Sequence, residues 1–113
     1  MRFTLLLHYP DATGDLSEEQ LAAGREAFDN YARALDEAEA LIAAEIFQPA
    51  SASAQVGAPL DATGSPAGIF VLDVHDRAAA LALAEKCPAA LWGTIEIRPT
   101  ATFWKDGRWV ASP

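Results

Sequence analysis

Hydrophobic residues alternate along the first segment of the chain, residues 2–9, in a pattern typical of a β-strand. Successive side chains of a strand point to opposite faces of its sheet, so the segment divides into two sets. One set is Phe3, Leu5, Leu7 and Tyr9, and the other is Arg2, Thr4, Leu6 and His8. Both sets contain leucine, which predicts a strand buried on both faces near its middle. Pro10 ends it, and residues 11–14 read as a turn.

A helical period replaces this alternation after residue 17. Ser17 and Gln20 have the spacing of a capping box, in which each side chain satisfies a free amide at a helix start. Apolar residues then recur every three or four positions, with charged residues between them. The pattern predicts an amphipathic helix running to about residue 40, with one face packed on a sheet.

The middle of the chain reads as two further strands joined by a loop. Residues 43–56 favour an irregular strand at a sheet edge, because Pro49 interrupts them and proline is tolerated at edges. Residues 57–68 are a loop by composition. The run from Gly68 to Val74 is rich in β-branched and aromatic side chains and predicts a central strand.

The last third of the chain predicts a helix, a strand and a hairpin. Asp76 can cap a helix over residues 77–86, where alanine and leucine dominate and Pro88 follows. Residues 94–98 alternate strictly and end at Pro99, as in a half-buried strand. In residues 102–110, two aromatic arms flank Asp106-Gly107, the pair required by a two-residue turn with positive φ.

The order of these elements predicts an α+β fold. A βαββαβ series forms the ferredoxin-like split unit, an antiparallel four-stranded sheet with two helices on one face. We assign residues 1–99 to this domain and residues 100–113 to a C-terminal β-hairpin extension. Either side of the first strand carries bulky apolar groups, so the face without helices is expected to be an interface. We therefore predict a homodimer whose sheets face one another, with the hairpin covering an edge or reaching the partner.

Composition narrows the class of protein. With 113 residues, 51% of them hydrophobic, the chain fits one globular domain. Its net charge of −8 repels phosphate backbones and anionic lipid, so neither nucleic acid nor a membrane is an expected partner. The single cysteine, Cys87, allows no intramolecular disulfide, which favours the cytoplasm. The apolar N-terminal run is too short for a signal peptide or a membrane span.

Several blocks of the sequence resemble one family. They are RFTLLLH at residues 2–8, EIFQP at 45–49, GIFVLDV at 68–74 and GTIEIRP at 93–99. Together with the long helix from Ser17, they are similar to the YCII-related proteins, also called the DGPF-domain family, over about residues 1–99. The resemblance implies a dimeric α/β barrel with a cleft near the dimer interface. It also implies an enzymatic role, since a few members act as lyases or dehydrochlorinases on small aromatic or chlorinated compounds.

The chain departs from the family pattern at two places. The family's Asp-Gly-Pro-Phe motif is missing from the loop before the third strand, where only Asp61 lies in its neighbourhood. The first helix has Arg25 or Phe28 where members often have a histidine. Both losses concern residues that the resemblance associates with catalysis.

The residues themselves offer one acid–base candidate. In the expected sheet the fourth strand lies antiparallel beside the first, so Glu96 can face His8 and orient its imidazole as a general acid or base. Arg98, on the same face as Glu96, is the expected contact for an anion. The alternative is structural: His8 is satisfied by backbone or water, and Glu96 pairs with Arg98 or with the partner subunit.

Three further residues are candidate ligand contacts. Asp73 and His75 share a strand face, although this region is better explained by Asp76 as a helix cap and Asp73 as a turn or dimer-contact group. Trp92 is a candidate pocket wall, the alternative being a core or interface anchor. No metal is predicted, because two histidines and one cysteine have no metal-ligand spacing. No cofactor is predicted either, because the sequence contains no phosphate-binding or dinucleotide motif.

Two functions remain open on the sequence alone. In the first, the chain is a cytoplasmic homodimeric enzyme of the YCII type, acting on a small organic molecule by cofactor-independent lyase or isomerase chemistry. In the second, it is a non-catalytic module that binds a small ligand or has a structural role, with the cleft degraded or filled by the C-terminal hairpin.

Overall fold

The computed structural model describes residues 1–11, 16–60 and 65–113. Within these ranges the chain forms six strands and two α-helices, with short 3-10 turns at residues 50–52 and 88–91. In chain order the elements are β1 (Arg2–His8), α1 (Glu18–Glu37), β2 (Leu41–Ile46), β3 (Gly68–Asp73), α2 (Arg77–Glu85), β4 (Thr94–Pro99), β5 (Thr102–Lys105) and β6 (Arg108–Ala111). The predicted α+β order is confirmed.

The four strands of the main sheet are antiparallel and lie in the order β2-β3-β1-β4. This order places β1 and β3 in the centre, as their continuous hydrophobic runs predicted. Leu5 stands opposite Phe70 on one side and opposite Ile97 on the other. The arrangement is the one expected for a ferredoxin-like unit.

The core lies between one sheet face and the helices. Alternate residues of β1, namely Phe3, Leu5 and Leu7, are at most 1% exposed, whereas the residues between them are half-buried. Tyr31 and Leu35 of α1 pack in the same cluster as Ala84 of α2. The Tyr31 hydroxyl also donates to the Leu83 carbonyl at 2.7 Å, which joins the two helices. Both helices therefore cover the same face.

Both predicted helix starts are confirmed. The Ser17 side chain accepts from the Gln20 backbone amide, and the Gln20 side chain accepts from the Ser17 amide. Asp76 caps α2 by accepting from the Ala79 amide at 2.8 Å. These local hydrogen bonds satisfy amides that a helix leaves free, which is why the sequence signals were reliable.

Three predicted boundaries near β2 were wrong, although its edge position is confirmed. Helix α1 ends at Glu37 instead of residue 40, and Glu39 then adopts a left-handed conformation with φ of 58°. Strand β2 spans Leu41–Ile46 instead of the predicted residues 43–56, and a register shift lies between Leu41 and Ala43. The tight turn lets the chain enter the sheet earlier than its apolar pattern indicates.

The C-terminal hairpin forms as predicted around Asp106 and Gly107, whose φ angles are 52° and 80°. It is attached to the start of β1. The Arg2 guanidinium lies 3.7 Å from the centre of the Phe103 ring, and the Arg2 amide donates to the Ser112 hydroxyl at 3.2 Å. Trp104 and Trp109 pack edge to face on the other side of the hairpin and remain exposed.

Two sequence predictions fall outside the described residues: positions 12–14 of the turn after β1, and Asp61 in the loop before β3. In the part of the chain that is described, no helix is both long and apolar enough to cross a bilayer.

Candidate functional site

His8 and Glu96 meet on the sheet face that the helices do not cover. In the register of β1 and β4, Glu96 stands opposite Leu6, and His8 stands opposite Thr94. The two side chains are therefore diagonal neighbours on one face, and His8 Nε2 lies 2.9 Å from Glu96 Oε1. The His8 side chain is 25% exposed and that of Glu96 42% exposed.

Arg98 completes a three-residue chain of polar contacts. Its Nη1 donates to the second Glu96 oxygen, Oε2, at 3.3 Å. The hydrogen bond from His8, and then that from Arg98, hold the pKa of Glu96 below its usual value, although some loss of solvation acts in the opposite direction. The carboxylate is thus ionised at neutral pH and can only accept hydrogen bonds.

This carboxylate determines which nitrogen of His8 can act on a ligand. Because Glu96 accepts only, a neutral His8 ring must carry its proton on Nε2, the atom that faces Glu96. The lone pair is then on Nδ1. The arrangement supplies an oriented base at Nδ1 and an anion that stabilises the imidazolium formed when Nδ1 takes a proton.

The backbone of His8 is fixed by a close approach to Gly93. A Cβ atom placed on Gly93 would fall on the His8 carbonyl oxygen, 3.0 Å from the carbonyl carbon of His8 and 2.9 Å from the Tyr9 Cβ. A residue without a side chain is therefore required where β4 begins beside the end of β1. The sequence contained this glycine, but not the contact that requires it.

A cleft of about 350 Å³ adjoins His8 at the end of β1. The Asp11 carboxylate accepts from the Ala50 amide at 3.1 Å, which ties the segment after β1 to the segment after β2. The cleft is lined by His8, Tyr9, Pro10, Asp11, Ala50 and Ser65. Its volume is at the lower end of the range for small-molecule sites.

The face that carries His8 has an aliphatic centre and a charged border. Leu6, Ile69 and Val71 are half-buried there and stand on neighbouring strands. The polar residues of the same face are Arg2, Thr4, His8, Glu45, Asp73, Thr94, Glu96 and Arg98. The apolar area is narrower than the alternation in β1 alone indicated, because β4 contributes charged residues to this face.

Asp73 and His75 lie at the other end of the sheet. Asp73 stands opposite Arg2 in the register, six residues along β1 from His8, or roughly 20 Å at the rise of a strand. Its carboxylate pairs with the Met1 amino group at 3.2 Å. His75 is exposed, and no side-chain hydrogen bond joins it to another described residue. The structure does not bring these two residues to the His8 site.

Trp92 lines a different and larger groove, on the helix side of the sheet. Its ring centre is 5.8 Å from that of Phe28 and 6.1 Å from that of Tyr9. Sequence reasoning proposed Trp92 as a pocket wall but missed both neighbours. Their only signal is that Phe28 lies on the apolar face of α1 and that Tyr9 shares a strand face with Leu7.

The hairpin tryptophans line neither the cleft beside His8 nor the groove beside Trp92. Trp104 and Trp109 are 59% and 65% exposed and contact each other, with ring centres 5.5 Å apart. Within one chain the hairpin therefore leaves the cleft beside His8 unfilled.

These features define a class of protein: a ferredoxin-like α+β domain with a histidine–carboxylate pair at the end of its first strand. The chain belongs to the YCII-related domain family, whose model matches residues 1–104. The match covers the main sheet and both helices and extends through most of β5. Among curated proteins, none matches the chain.

Proposed function

We propose that this YCII-related protein binds a small organic anion beside His8 and moves a proton on it, as a cofactor-independent lyase or isomerase. The observation that carries the proposal is the 2.9 Å contact between His8 Nε2 and Glu96 Oε1. It leaves Nδ1 as the base, with a carboxylate in place to stabilise the imidazolium.

The proton transfer requires only groups of this chain. Nδ1 of His8 takes a proton from a carbon next to a carbonyl or carboxylate of the ligand, leaving the electron pair on the ligand. In an isomerase the same proton returns to a neighbouring atom, and in a lyase the electron pair expels a leaving group, which takes the proton. Glu96 acts through His8 and is a positioning residue.

Arg98 is the contact for the anionic group of the ligand. Only its Nη1 is engaged with Glu96, and 68% of its side chain is exposed, so other donors of the guanidinium face solvent. A guanidinium binds a carboxylate through two parallel hydrogen bonds, which makes it more selective for this group than an ammonium.

In this proposal a second copy of the chain encloses the site. In the single chain Arg98 is exposed and Glu96 is half-buried, so water would compete for their hydrogen bonds. Pairing of two sheets across the strip of Leu6, Ile69 and Val71 would exclude that water and place His8 beside the dimer interface. The proposal therefore includes a homodimer, and it places the protein in the cytoplasm, where its single thiol stays reduced.

The same exposure favours one alternative, a non-catalytic module that binds a small ligand. A site open to water loses much of the electrostatic stabilisation on which proton transfer depends. In that case the His8–Glu96 pair would contribute to affinity and to no reaction.

A thermal-shift screen with small carboxylates, phenols and lactones, followed by one matched pair of variants, tests the proposal. A ligand that prefers the folded state raises the unfolding temperature in proportion to its occupancy. His8→Asn should weaken binding and remove the pH dependence of the affinity, whereas His75→Asn, at the other end of the sheet, should change neither. A pH-dependent affinity that survives His8→Asn would remove His8 from the function. If ligands bind and none is turned over, the enzymatic proposal is excluded and the non-catalytic binding module remains.

A further inference from the structure

We propose a second ligand site on the other side of the sheet, a groove that binds a small aromatic carboxylate. The groove encloses about 990 Å³, which lies within the range of small-molecule sites and is nearly three times the volume of the cleft beside His8. It runs between the first half of α1 and the ends of β1, β2 and β3. This site does not depend on the proton-transfer proposal.

Aromatic rings from four separate segments of the chain build one wall of the groove. Phe28 of α1 stacks on Phe70 of β3 with ring centres 6.4 Å apart, and it meets Trp92 edge to face at 5.8 Å. Tyr9 closes the cluster, 6.1 Å from Trp92. Ring pairs at these distances have favourable quadrupole geometry, so an additional aromatic ring can join the cluster.

Much of the apolar lining of the groove is exposed to solvent in the single chain. Trp92 is 43% exposed and its neighbour Leu91 is 90% exposed, while Ile46 on the opposite side is 52% exposed. Contact between this apolar wall and water is unfavourable in free energy. A bound aromatic ring would cover the wall and remove that contact. The concave shape favours a small ligand over a flat partner surface.

Hydrogen-bond donors predominate among the polar groups that line the groove. Arg25 offers a guanidinium, Tyr9 a hydroxyl and Gln20 an amide nitrogen, since the Gln20 oxygen already accepts from Ser17. Two acidic residues also border it, but Asp29 is paired with Arg33 at 2.9 Å, and Glu45 stands opposite Ile69, so its side chain lies on the other face of the sheet. These donors therefore favour a ligand with an anionic acceptor group.

The aromatic wall and the hydrogen-bond donors together indicate the class of ligand. Its ring would pack on Trp92 and Phe28, and its carboxylate would accept from Arg25, which lies one helical turn from Phe28 on the same face of α1. Among the described residues that line the groove there is no histidine or cysteine, and the proposal for this site is binding alone.

Isothermal titration calorimetry with 2-naphthoate tests the site, with 2-naphthylmethylamine as a probe of the same shape and opposite charge. The full chain should bind the naphthoate more tightly than the amine. Trp92→Leu should weaken naphthoate binding about tenfold, the loss expected for one aromatic contact and its buried area. The matched control Trp109→Leu, in the hairpin, should leave the affinity unchanged.

Two further variants separate the parts of the proposal. Arg25→Gln should reduce the preference for naphthoate over the amine, because it removes the cation and leaves the wall intact. Naphthoate bound in this groove should respond to Trp92→Leu and not to His8→Asn, whereas naphthoate bound beside His8 should respond in the opposite way, so that failure of this site and failure of the His8 site are distinguishable. If Trp92→Leu does not fold, chemical-shift changes of the Trp92 indole N–H in the unmodified chain take its place.

Four results would overturn the inference. The first two are an absence of naphthoate binding at millimolar concentration and tighter binding of the amine. The other two would move the ligand to the hairpin: shift changes that centre on Trp104 and Trp109 instead of Trp92, and loss of naphthoate binding in Trp109→Leu with retention in Trp92→Leu.

Discussion

Replacement of Gly93 by alanine should destabilise the protein at the point where the first strand presents His8. The added methyl group would fall on the His8 carbonyl oxygen and 2.9 Å from the Tyr9 Cβ. Backbone atoms cannot rotate away as a long side chain can, and Thr94, the next residue, is held in register with His8. Relief therefore requires displacement of β4 from the end of β1.

The magnitude follows from the cost of forcing one methyl group into filled space, about 1–3 kcal/mol of unfolding free energy. Gly24→Ala provides a matched control, because a Cβ there has no neighbour within 4 Å and the residue lies inside α1. Alanine is favoured over glycine in a helix by about 0.5–1 kcal/mol, so this variant should be more stable than the unmodified chain.

Urea denaturation followed by circular dichroism measures both variants, and the slope of the transition shows whether the unfolded state has changed. The same substitution should thus have opposite signs at the two glycines. A Gly93→Ala variant as stable as the unmodified chain, with unchanged amide chemical shifts at His8 and Tyr9, would refute the close approach.

Three further predictions concern the polar contacts. The pKa of Glu96 is lowered in the folded state, so its contribution to stability is complete above the unfolded value of about 4.3 and is lost as the pH falls through the lower folded value. The stability difference between the unmodified chain and Glu96→Gln, measured by urea denaturation, should therefore shrink between pH 6 and pH 3, and a constant difference would contradict the ion pair. Tyr31→Phe should cost about 1 kcal/mol, because it removes the hydrogen bond to the Leu83 carbonyl, and an unchanged melting temperature would exclude that bond. Asp76→Ala should also cost about 1 kcal/mol by removal of the helix cap, while Asp76→Asn should retain most of the stability; equal losses in the two variants would show that the cap is not the cause.

The sequence was sufficient to predict the order of the elements because short local motifs mark where the helices and the hairpin turn occur. The capping box at Ser17, the cap at Asp76 and the turn at Asp106-Gly107 each depend on residues at most three positions apart. The end of α1 was misplaced because Glu39, not glycine, adopts the left-handed conformation there. Nothing in the residue type of Glu39 marks that turn.

The His8–Glu96 contact was accessible to sequence reasoning because the parity of two strands and their order in the fold were both available. The larger groove on the helix side of the sheet could not be predicted in this way. Tyr9, Phe28, Phe70 and Trp92 lie far apart in the chain, and only the packing of α1 on the sheet brings their rings together. Sequence reasoning therefore proposed the acid–base pair and Trp92, but not the cavity that surrounds Trp92.

The position of the proton on the His8 ring is the most direct test of the proposed chemistry, and ¹⁵N chemical shifts of the imidazole measure it. In the unmodified chain at a pH where the ring is neutral, His8 should be predominantly the Nε2–H tautomer, and Glu96→Gln should lower that preference. His75, which is exposed, provides the reference within the same spectrum. A predominance of the Nδ1–H tautomer at His8, or shifts that do not respond to Glu96→Gln, would contradict the assignment of Glu96 as the residue that positions the base.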